Sequence, residues 1–237
     1  GVALSLNGTG AGTVNVSATN INIAATGTGQ GLAIDDVTVG TIDIGSITTG
    51  TAGGADGAVY LNQVAGGTVN IGSVTVGGTS VGAGLTVANS SATVNIGAAS
   101  ISNSAGGGVV VQNNSGAVTI GPVSVTNSGG AGLAVSGNTG TVTFGAVTVS
   151  TSAGHGVSLL NNAGNLTLGA VTVSNSTGDG VRLAGNGSAA LGQLTLANIG
   201  GTGLFAQTVS GNLNIAGATI AGAVGGGVTV DGASASS

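Results

Sequence analysis

The stretch that decides the fold reads GLAVSGNTGTVTFGAVTVSTSAGH and spans residues 132–155. It holds three short runs in which apolar and polar residues alternate, Leu133–Val135, Thr141–Phe144 and Ala146–Ser150. Alternation with a period of two is typical of a β-strand, and the β-branched residues that dominate these runs favour strands. Polar corners and a single Gly145 separate the runs. We therefore predict three strands here, and no part of the chain shows the periodicity of a helix.

The same pattern recurs along the whole chain at a nearly constant spacing. Each copy begins with Gly, or with Ala in two places, followed by an apolar residue, any residue and a second apolar residue. The ten starting positions are Ala3, Gly31, Ala58, Gly84, Gly108, Gly132, Gly156, Gly180, Gly203 and Gly227. From Gly84 onward the step is almost constant, and before Gly84 it is slightly longer and varies.

Stacking is the arrangement that allows such a repeat to fold. Three short strands cannot bury an apolar face alone, but successive repeats laid in parallel on one another turn every apolar position into a column of core. We predict an all-β, single-stranded parallel β-helix (β-solenoid) with three short strands per turn, about 24 residues per turn and nine full turns. The β-helix would occupy residues 1–230, with wider turns over 3–83 and regular turns over 84–230. Residues 231–237 would be a small polar tail or linker.

Three kinds of column follow from this stacking. The predicted core columns contain Val94/Ile96, Val118/Ile120, Val142/Phe144, Leu166/Leu168 and Leu213/Ile215 on the second strands, and Val74/Val76, Val123/Val125, Val147/Val149, Val171/Val173 and Leu194/Leu196 on the third. A Gly column lies between those strands, at Gly45, Gly72, Gly97, Gly121, Gly145, Gly169 and Gly192. We expect a one-residue corner there to need a backbone conformation that Gly adopts at no steric cost.

Asn forms the third kind of column, at the polar corners. One structural ladder contains Asn114, Asn138, Asn162 and Asn186, and a second corner repeats Asn103, Asn127 and Asn175, with Thr151 interrupting. Asn tolerates left-handed backbone, and stacked amides can hydrogen-bond from turn to turn.

Composition excludes several classes of function. Of 237 residues, one is Lys or Arg and six are Asp or Glu, so the net charge is 1 − 6 = −5. Arg182 is the only Lys or Arg residue, so the chain lacks the basic surface that binds nucleic acid. Without Cys it can form neither disulfides nor thiolate metal sites. No apolar stretch approaches about 18 residues, so we expect no membrane span, and Gly1–Leu6 does not have the pattern of a signal peptide.

The repeat resembles a known group of proteins. Turns such as the one that opens with Gly84-Leu85-Thr86-Val87 are similar to the parallel β-helix (β-strand) repeats of large bacterial surface proteins, including autotransporter passengers and giant adhesins. The resemblance covers essentially the whole chain. It implies a right-handed helix, which the handedness of parallel crossovers also favours, and an extracellular or cell-surface location. The left-handed hexapeptide solenoid is the alternative fold, but its turns hold about 18 residues.

Titratable residues are too few to suggest an active site. The best constellation is His155, Asp179 and Arg182, because His155 and Asp179 are one predicted turn apart and should stack on neighbouring turns. This group is either a small polar site or a surface salt bridge, and the salt bridge is the simpler interpretation. Some β-helix proteins are enzymes that degrade polysaccharides. Such an enzyme would need paired carboxylates on one face, and the sequence pattern places no such pair there. We predict no catalytic residues.

Calcium is the one metal for which the sequence offers candidate ligands. Asp35, Asp36 and Asp56 lie where the turns are longest, and oxygen-rich loops can hold Ca²⁺. However, the stretch Gly53–Gly57 is only a fragment of the nonapeptide calcium repeat and does not recur in tandem. We therefore predict no cofactor, with these three Asp as the candidate ligands if Ca²⁺ does bind.

The outward face of the strands offers a candidate binding surface. On the second strands it presents hydroxyl, methyl and amide groups from Thr68, Asn70, Thr93, Asn95, Thr119, Thr141, Thr143 and Thr167, in columns that begin at Thr13 and Asn15. A third-strand column runs from Asn22 through Thr48 to Thr219. Such a lattice resembles the Thr-x-Thr arrays of ice-binding solenoids, so ice or a glycan is a candidate ligand. Alternatively, Thr and Asn are simply the residues that suit an exposed, uncharged strand.

These observations favour a mechanical function. We expect a non-catalytic extracellular rod that forms a segment or protomer of a surface adhesin, stalk or filament. Its expected partners are the protein itself, by end-to-end stacking or by continuation of a longer chain, and a glycan or another cell surface.

Overall fold

The computed structural model describes residues 2–8, 12–17, 21–25, 29–50 and 57–232, and within these ranges it contains strands, turns and bends but no helix. The strands are β1 (Val2–Asn7), β2 (Thr13–Ser17), β3 (Asn22–Ala25), β4 (Gln30–Thr49), β5 (Val59–Val76), β6 (Leu85–Ala88), β7 (Thr93–Ile96), β8 (Ala99–Ser104), β9 (Val109–Gln112), β10 (Val118–Ile120), β11 (Val123–Ser128), β12 (Leu133–Ser136), β13 (Val142–Phe144), β14 (Val147–Ser152), β15 (Val157–Leu160), β16 (Leu166–Leu168), β17 (Val171–Ser176), β18 (Val181–Ala184), β19 (Ala189–Ile199), β20 (Leu204–Gln207), β21 (Leu213–Ala223) and β22 (Val228–Asp231).

These strands stack in three parallel columns. The first-strand column runs through β1, β4, β5, β6, β9, β12, β15, β18, β20 and β22. The second runs through β2, β4, β5, β7, β10, β13, β16, β19 and β21. The third runs through β3, β4, β5, β8, β11, β14, β17, β19 and β21. Four long strands, β4, β5, β19 and β21, belong to more than one column because they continue through the corners.

The pairing confirms the predicted fold. Val142 pairs in parallel with Val118 on one side and with Leu166 on the other, so positions one repeat apart lie directly above one another. The chain is therefore a parallel β-solenoid of about nine turns with roughly 24 residues per turn. The three strands of a turn are distinct from β6 to β18, whereas β19 and β21 each join the second and third strands of a turn. In the wider turns, β4 and β5 each carry all three strands as one continuous strand.

The core lies inside the three columns. The predicted core residues of the regular turns are at most 2% exposed, and burying each large aliphatic side chain contributes about 1.5–3 kcal/mol. Leu213 and Ile215 are the exception, because they pack against the core only partly. Their strand, β21, pairs with β19 alone among the described strands, so one side of this turn stays open.

The Gly column between the second and third strands has a different cause from the predicted one. None of its described members has a left-handed backbone. The turns instead approach so closely that a side chain has no room, since a Cβ on Gly145 would lie 2.8 Å from the carbonyl carbon of Gly121. A Cβ on Gly169 would lie 2.9 Å from the same atom of Gly145. Gly is needed here for close stacking of backbones rather than for its φ angle.

Left-handed backbone occurs at both Asn corners, but at one of them it is not the ladder Asn that adopts it. Asn103, Asn127 and Asn175 do adopt left-handed φ angles of 54°, 56° and 57°, and Thr151 between them has 67°. At the other corner the left-handed residue is the one before each ladder Asn, so Asn113 takes φ 55° while Asn114 does not. The ladder therefore needs Asn for the hydrogen bonds of its side chain and not for its φ angle.

The last described strand extends one residue into the predicted tail. The sequence prediction assigns Asp231 to the tail, whereas the structure places it in β22, where it pairs with Gln207. Residues 233–237 of that tail lie outside the described residues. The described residues include no helix that is long and apolar enough to cross a membrane.

Candidate functional site

The ladder of Asn114, Asn138, Asn162 and Asn186 lies inside the solenoid, where its side chains are at most 1% exposed. The Oδ1 atom of Asn138 accepts hydrogen bonds from both the backbone N–H and the Nδ2 of Asn114, at 2.9 Å in each case. In the same way, Asn162 Oδ1 accepts from the backbone N–H and the Nδ2 of Asn138, and Asn186 Oδ1 accepts from those of Asn162. Each Nδ2 also donates to a carbonyl oxygen more than one turn away, as Asn138 does to Val111 at 3.1 Å. The ladder satisfies buried polar groups and is closed to ligands.

The candidate binding residues of the second strands line up as far as Thr167. Asn70, Asn95, Thr119, Thr143 and Thr167 are consecutive partners in one column. Ala190 follows Thr167 and interrupts the column. In the parallel column, Thr68 pairs with Thr93, and Ala117 takes the position one turn before Thr141. The structure thus brings the eight predicted residues onto one face, with breaks in both columns.

The amides on this face bond to one another. Asn95 Nδ2 donates to Asn70 Oδ1 at 2.9 Å, and Asn70 Nδ2 donates to Asp43 Oδ1 at 2.7 Å. This outer ladder therefore donates toward the N-terminus, whereas the buried ladder donates toward the C-terminus. A ligand that reached Asn70 or Asn95 would compete with these contacts, so the hydroxyl groups are the freer part of the face.

The outer columns begin two residues away from the predicted positions. A bulge between Val14 and Val16 shifts the register, so that Ser17 rather than Asn15 pairs with Asp43. Thr13 likewise pairs with Thr38, not with Thr41. On the third strand Ala24 pairs with Thr48, whereas Asn22 pairs with Ser46. Asn15 instead accepts a hydrogen bond from the Thr41 backbone N–H at 2.9 Å. The turns before Gly84 vary in length, and constant spacing is a poor guide to register there.

The third strands carry the longest hydroxyl column. It is unbroken in register through Thr48, Thr75, Ser100, Ser124, Thr148, Thr172, Thr195 and Thr219. A second column lies two residues further along the same strands, at Ser102, Thr126, Ser150 and Ser174. This second column was not predicted from the sequence, although its regular spacing of one repeat is a visible signal.

A long groove follows the corner after the third strands, and it was not predicted either. Two shallow depressions of about 460 and 480 Å³ lie along this corner and share Asn175 and Thr177 in their linings. The lining includes the left-handed corner residues Asn103, Asn127, Thr151, Asn175 and Asn198. It also includes the residues two positions further along the chain, Ala105, Gly129, Ala153, Thr177 and Gly200. Among the described residues, no charged side chain lines this groove.

His155, Asp179 and Arg182 come together as the stacking predicts. The Asp179 Oδ2 atom lies 3.5 Å from His155 Nδ1 and 3.4 Å from Arg182 Nη1. The Arg182 guanidinium also lies 5.0 Å from the centre of the Phe205 ring, in the geometry of a cation–π contact. Two backbone N–H groups complete the cluster, because Asp179 donates to His155 Nδ1 and Thr202 donates to Asp179 Oδ1, at 2.9 Å in each case.

Burial lowers the pKa of His155 below its ordinary value of 6.5. The Asp179 carboxylate opposes this by raising the pKa, and the Arg182 guanidinium adds to the lowering. The imidazole is therefore neutral at physiological pH. No hydroxyl group is hydrogen-bonded to this imidazole among the contacts of the described residues.

Two of the three calcium candidates, Asp35 and Asp36, lie within the described structure. Asp35 accepts a hydrogen bond from Asn62 Nδ2 at 2.8 Å, and Asp36 follows it in a left-handed conformation. Asp56 lies outside the described residues. Within the described ranges, no three His, Asp or Glu side chains are placed to hold a metal ion.

Comparison with known proteins gives a result at the level of a family. A family model described as "Right handed beta helix region" matches residues 83–237, about two thirds of the chain. No curated protein matches the chain, and no solved structure does.

Proposed function

Because the chain belongs to the right-handed β-helix family, we propose that it is a non-catalytic structural rod in an extracellular or cell-surface protein such as an adhesin, a stalk or a filament. The observation that carries this proposal is the unbroken stacking of three strand columns through about nine turns. At about 4.8 Å per turn, the stack measures roughly 43 Å along its axis. Every turn adds backbone hydrogen bonds along the axis and another layer of core.

The surface chemistry supports a passive role. The described residues offer one cluster in which a His, an Asp and an Arg meet, and every one of these side chains is engaged by its neighbours. The same scarcity of charge protects the rod, because a protease that cuts after Lys or Arg has Arg182 as its single target. We therefore propose no catalysis and no cofactor.

Location and activity can be tested together. Antibodies raised against the folded chain should label the outside of intact source cells, and label confined to the cytoplasm would contradict the proposal. In parallel, the protein should leave a panel of neutral and acidic polysaccharides intact. Depolymerisation by the native chain but not by an Asp179→Ala variant would identify an enzyme instead.

Self-association follows as part of the same proposal. Among the described strands, β21 and β22 each pair with one strand only, as do β1, β2 and β3, so backbone N–H and C=O groups remain open on one side of each. Such edges pair readily with further parallel strands, from a second copy or from more of the same chain. Sedimentation of the isolated chain should show association that grows with concentration, and a strictly monomeric species at high concentration would reject end-to-end stacking.

A second candidate function is ligand binding on the outward hydroxyl columns, with ice or a glycan as the ligand. The observation that favours it is the third-strand column, which keeps Ser or Thr in register from Thr48 to Thr219. The uncharged groove beside it would suit a neutral glycan better than an acidic one.

The two ligands are separable by experiment. Thermal hysteresis and inhibition of ice recrystallisation test for ice, and a glycan array tests for sugars. Replacing Thr148 and Thr172 by Val keeps the shape of the strand and removes two exposed hydroxyls, so it should weaken binding at this face. The same change at Thr119 and Thr143 tests the second-strand column separately and shows which of the two columns binds. Absence of both activities in the native chain ends this candidate.

A further inference from the structure

His155, Asp179 and Thr202 occupy the same position in three successive turns, directly before Gly156, Gly180 and Gly203. At two steps of this corner, a side chain accepts a hydrogen bond from the backbone N–H one turn later. His155 Nδ1 accepts from Asp179, and Asp179 Oδ1 accepts from Thr202, at 2.9 Å in each case. One titratable ring thus forms part of the contact between turns.

The hydrogen bond from Asp179 fixes the form of the neutral ring. A ring nitrogen that accepts an N–H cannot carry a proton itself, so the proton of neutral His155 resides on Nε2. The charged groups that face the ring are the Asp179 carboxylate on the next turn and Arg182 on β18, and both meet at Asp179 Oδ2. Phe205, on the far side of Arg182, carries no charge.

We propose that this corner is an acid-sensitive contact between turns, in which protonation of His155 exchanges a backbone hydrogen bond for an ion pair. The proton adds to the Nδ1 lone pair, so the Asp179 N–H loses its acceptor. The new Nδ1–H then faces Asp179 Oδ2, 3.5 Å away, which Arg182 Nη1 already contacts at 3.4 Å.

The exchange changes both hydrogen bonding and charge. Before protonation the cluster holds one guanidinium and one carboxylate and is neutral, whereas afterwards it carries a net charge of +1. Two cations then share one carboxylate oxygen, which weakens the contact between Arg182 and Asp179. The Asp179 N–H becomes open to water. This inference does not depend on the proposed function, because it concerns the contact between turns in any setting.

The test is an NMR titration of the whole chain between about pH 8 and pH 5, the range in which His changes charge. At the upper end, the ring nitrogen shifts should show the Nε2–H form of His155. As the ring protonates, the protection factor of the Asp179 amide against hydrogen exchange should fall by about two- to tenfold, the effect of losing one hydrogen bond. The amide of Val142, which bonds the Asn165 carbonyl oxygen away from this cluster, should keep its protection.

The matched control is His155→Asn, whose amide oxygen can accept the same N–H without titrating. In this variant the protection of the Asp179 amide should not change over the same pH range. An Nδ1–H form of His155 at pH 8, or unchanged Asp179 protection through the titration of the native ring, would overturn the proposal. Both readings come from the native chain, so they decide the question even if the variant fails to fold.

Discussion

The regular turns from Gly84 onward and the wider turns before it share one plan but place their polar ladders differently. In the regular turns one ladder is buried, and each Asn in it bonds the backbone and the side chain of the turn before. A second ladder of these turns is exposed, with Asn127 Nδ2 donating to Asn103 Oδ1 at 3.0 Å. In the wider turns the ladders are on the outside and end in a carboxylate, as Asn70 bonds Asp43 and Asn62 bonds Asp35. Water can replace a lost bond only on the outside.

The difference shows what a constant turn length makes possible. A buried amide is stable only if its partners recur at the same place in every turn, since an unsatisfied buried polar group costs about 1–3 kcal/mol. The equal spacing of Asn114, Asn138, Asn162 and Asn186 meets that condition. The wider turns vary in length and contain a bulge between Val14 and Val16, so they carry their amides where mistakes in register cost little.

The sharpest way to break the comparison is to remove one buried amide. Asn138→Ala should lower the free energy of unfolding by about 2–6 kcal/mol, because the backbone N–H and the Nδ2 of Asn114 both lose their acceptor in a dry interior. Urea titration followed by circular dichroism measures the change. A loss below about 1 kcal/mol would mean that water enters this corner and that the ladder is not a buried network.

Close stacking of backbones gives the next largest effect. Gly145→Ala should cost about 1–3 kcal/mol, since the added Cβ would lie 2.8 Å from the Gly121 carbonyl carbon and 2.9 Å from the Pro122 nitrogen. The control is Gly12→Ala in a wider turn, where no atom of the described residues lies within 4 Å of the new Cβ. That change should stay within about 1 kcal/mol of the native chain. Equal costs at the two sites in thermal melts would refute the steric explanation.

Removing an outer amide should have a smaller effect. Asn70→Ala deletes the contacts with Asp43 and Asn95 on a half-exposed face, and water can take over both. We expect a loss of about 0.5–1.5 kcal/mol in the same urea titration, the contribution of an ordinary hydrogen bond. If Asn70→Ala cost as much as Asn138→Ala, the distinction between outer and buried ladders would fail.

Acid should produce the smallest of these effects. The pKa of His155 is lowered in the folded chain, so between its ordinary pKa of 6.5 and the folded value the unfolded chain binds more protons. The stability contributed by the neutral ring is therefore complete above pH 6.5 and is lost as the pH falls through that window. The difference in unfolding free energy between the native chain and His155→Asn, followed over this window, measures the loss. A difference that stays constant with pH would show that the ring does not titrate differently on folding.

Much of the fold could be predicted because its information is periodic. The spacing of apolar residues predicted the columns that contain Val118, Val142 and Leu166, and parallel pairing in register confirms them. Stacking also brought His155 and Asp179 together, since their separation in the sequence is one turn. Periodicity predicts which positions meet, and this is sufficient for a core made of similar side chains.

Periodicity does not say which atoms meet, and the wrong predictions have that origin. Gly145 and its column were assigned to a special φ angle, when the deciding feature is the distance to the turn below. The left-handed residue at the buried ladder is Asn113, one position before the predicted one. The groove along Asn127 and Asn175 arises from the shape of a corner, which no spacing in the sequence encodes.

The equal length of the regular turns also makes the size of this protein adjustable in whole units. Excising residues 132–155 would join Ala131 to Gly156 and place Leu166 on Val118 and Asn162 on Asn114, with each pair of neighbours chemically matched. One whole repeat can therefore be removed or added without shifting the register of the turns that remain. A change of any other length must instead be absorbed at a corner, as the one-residue shortening between Ala184 and Ala189 is.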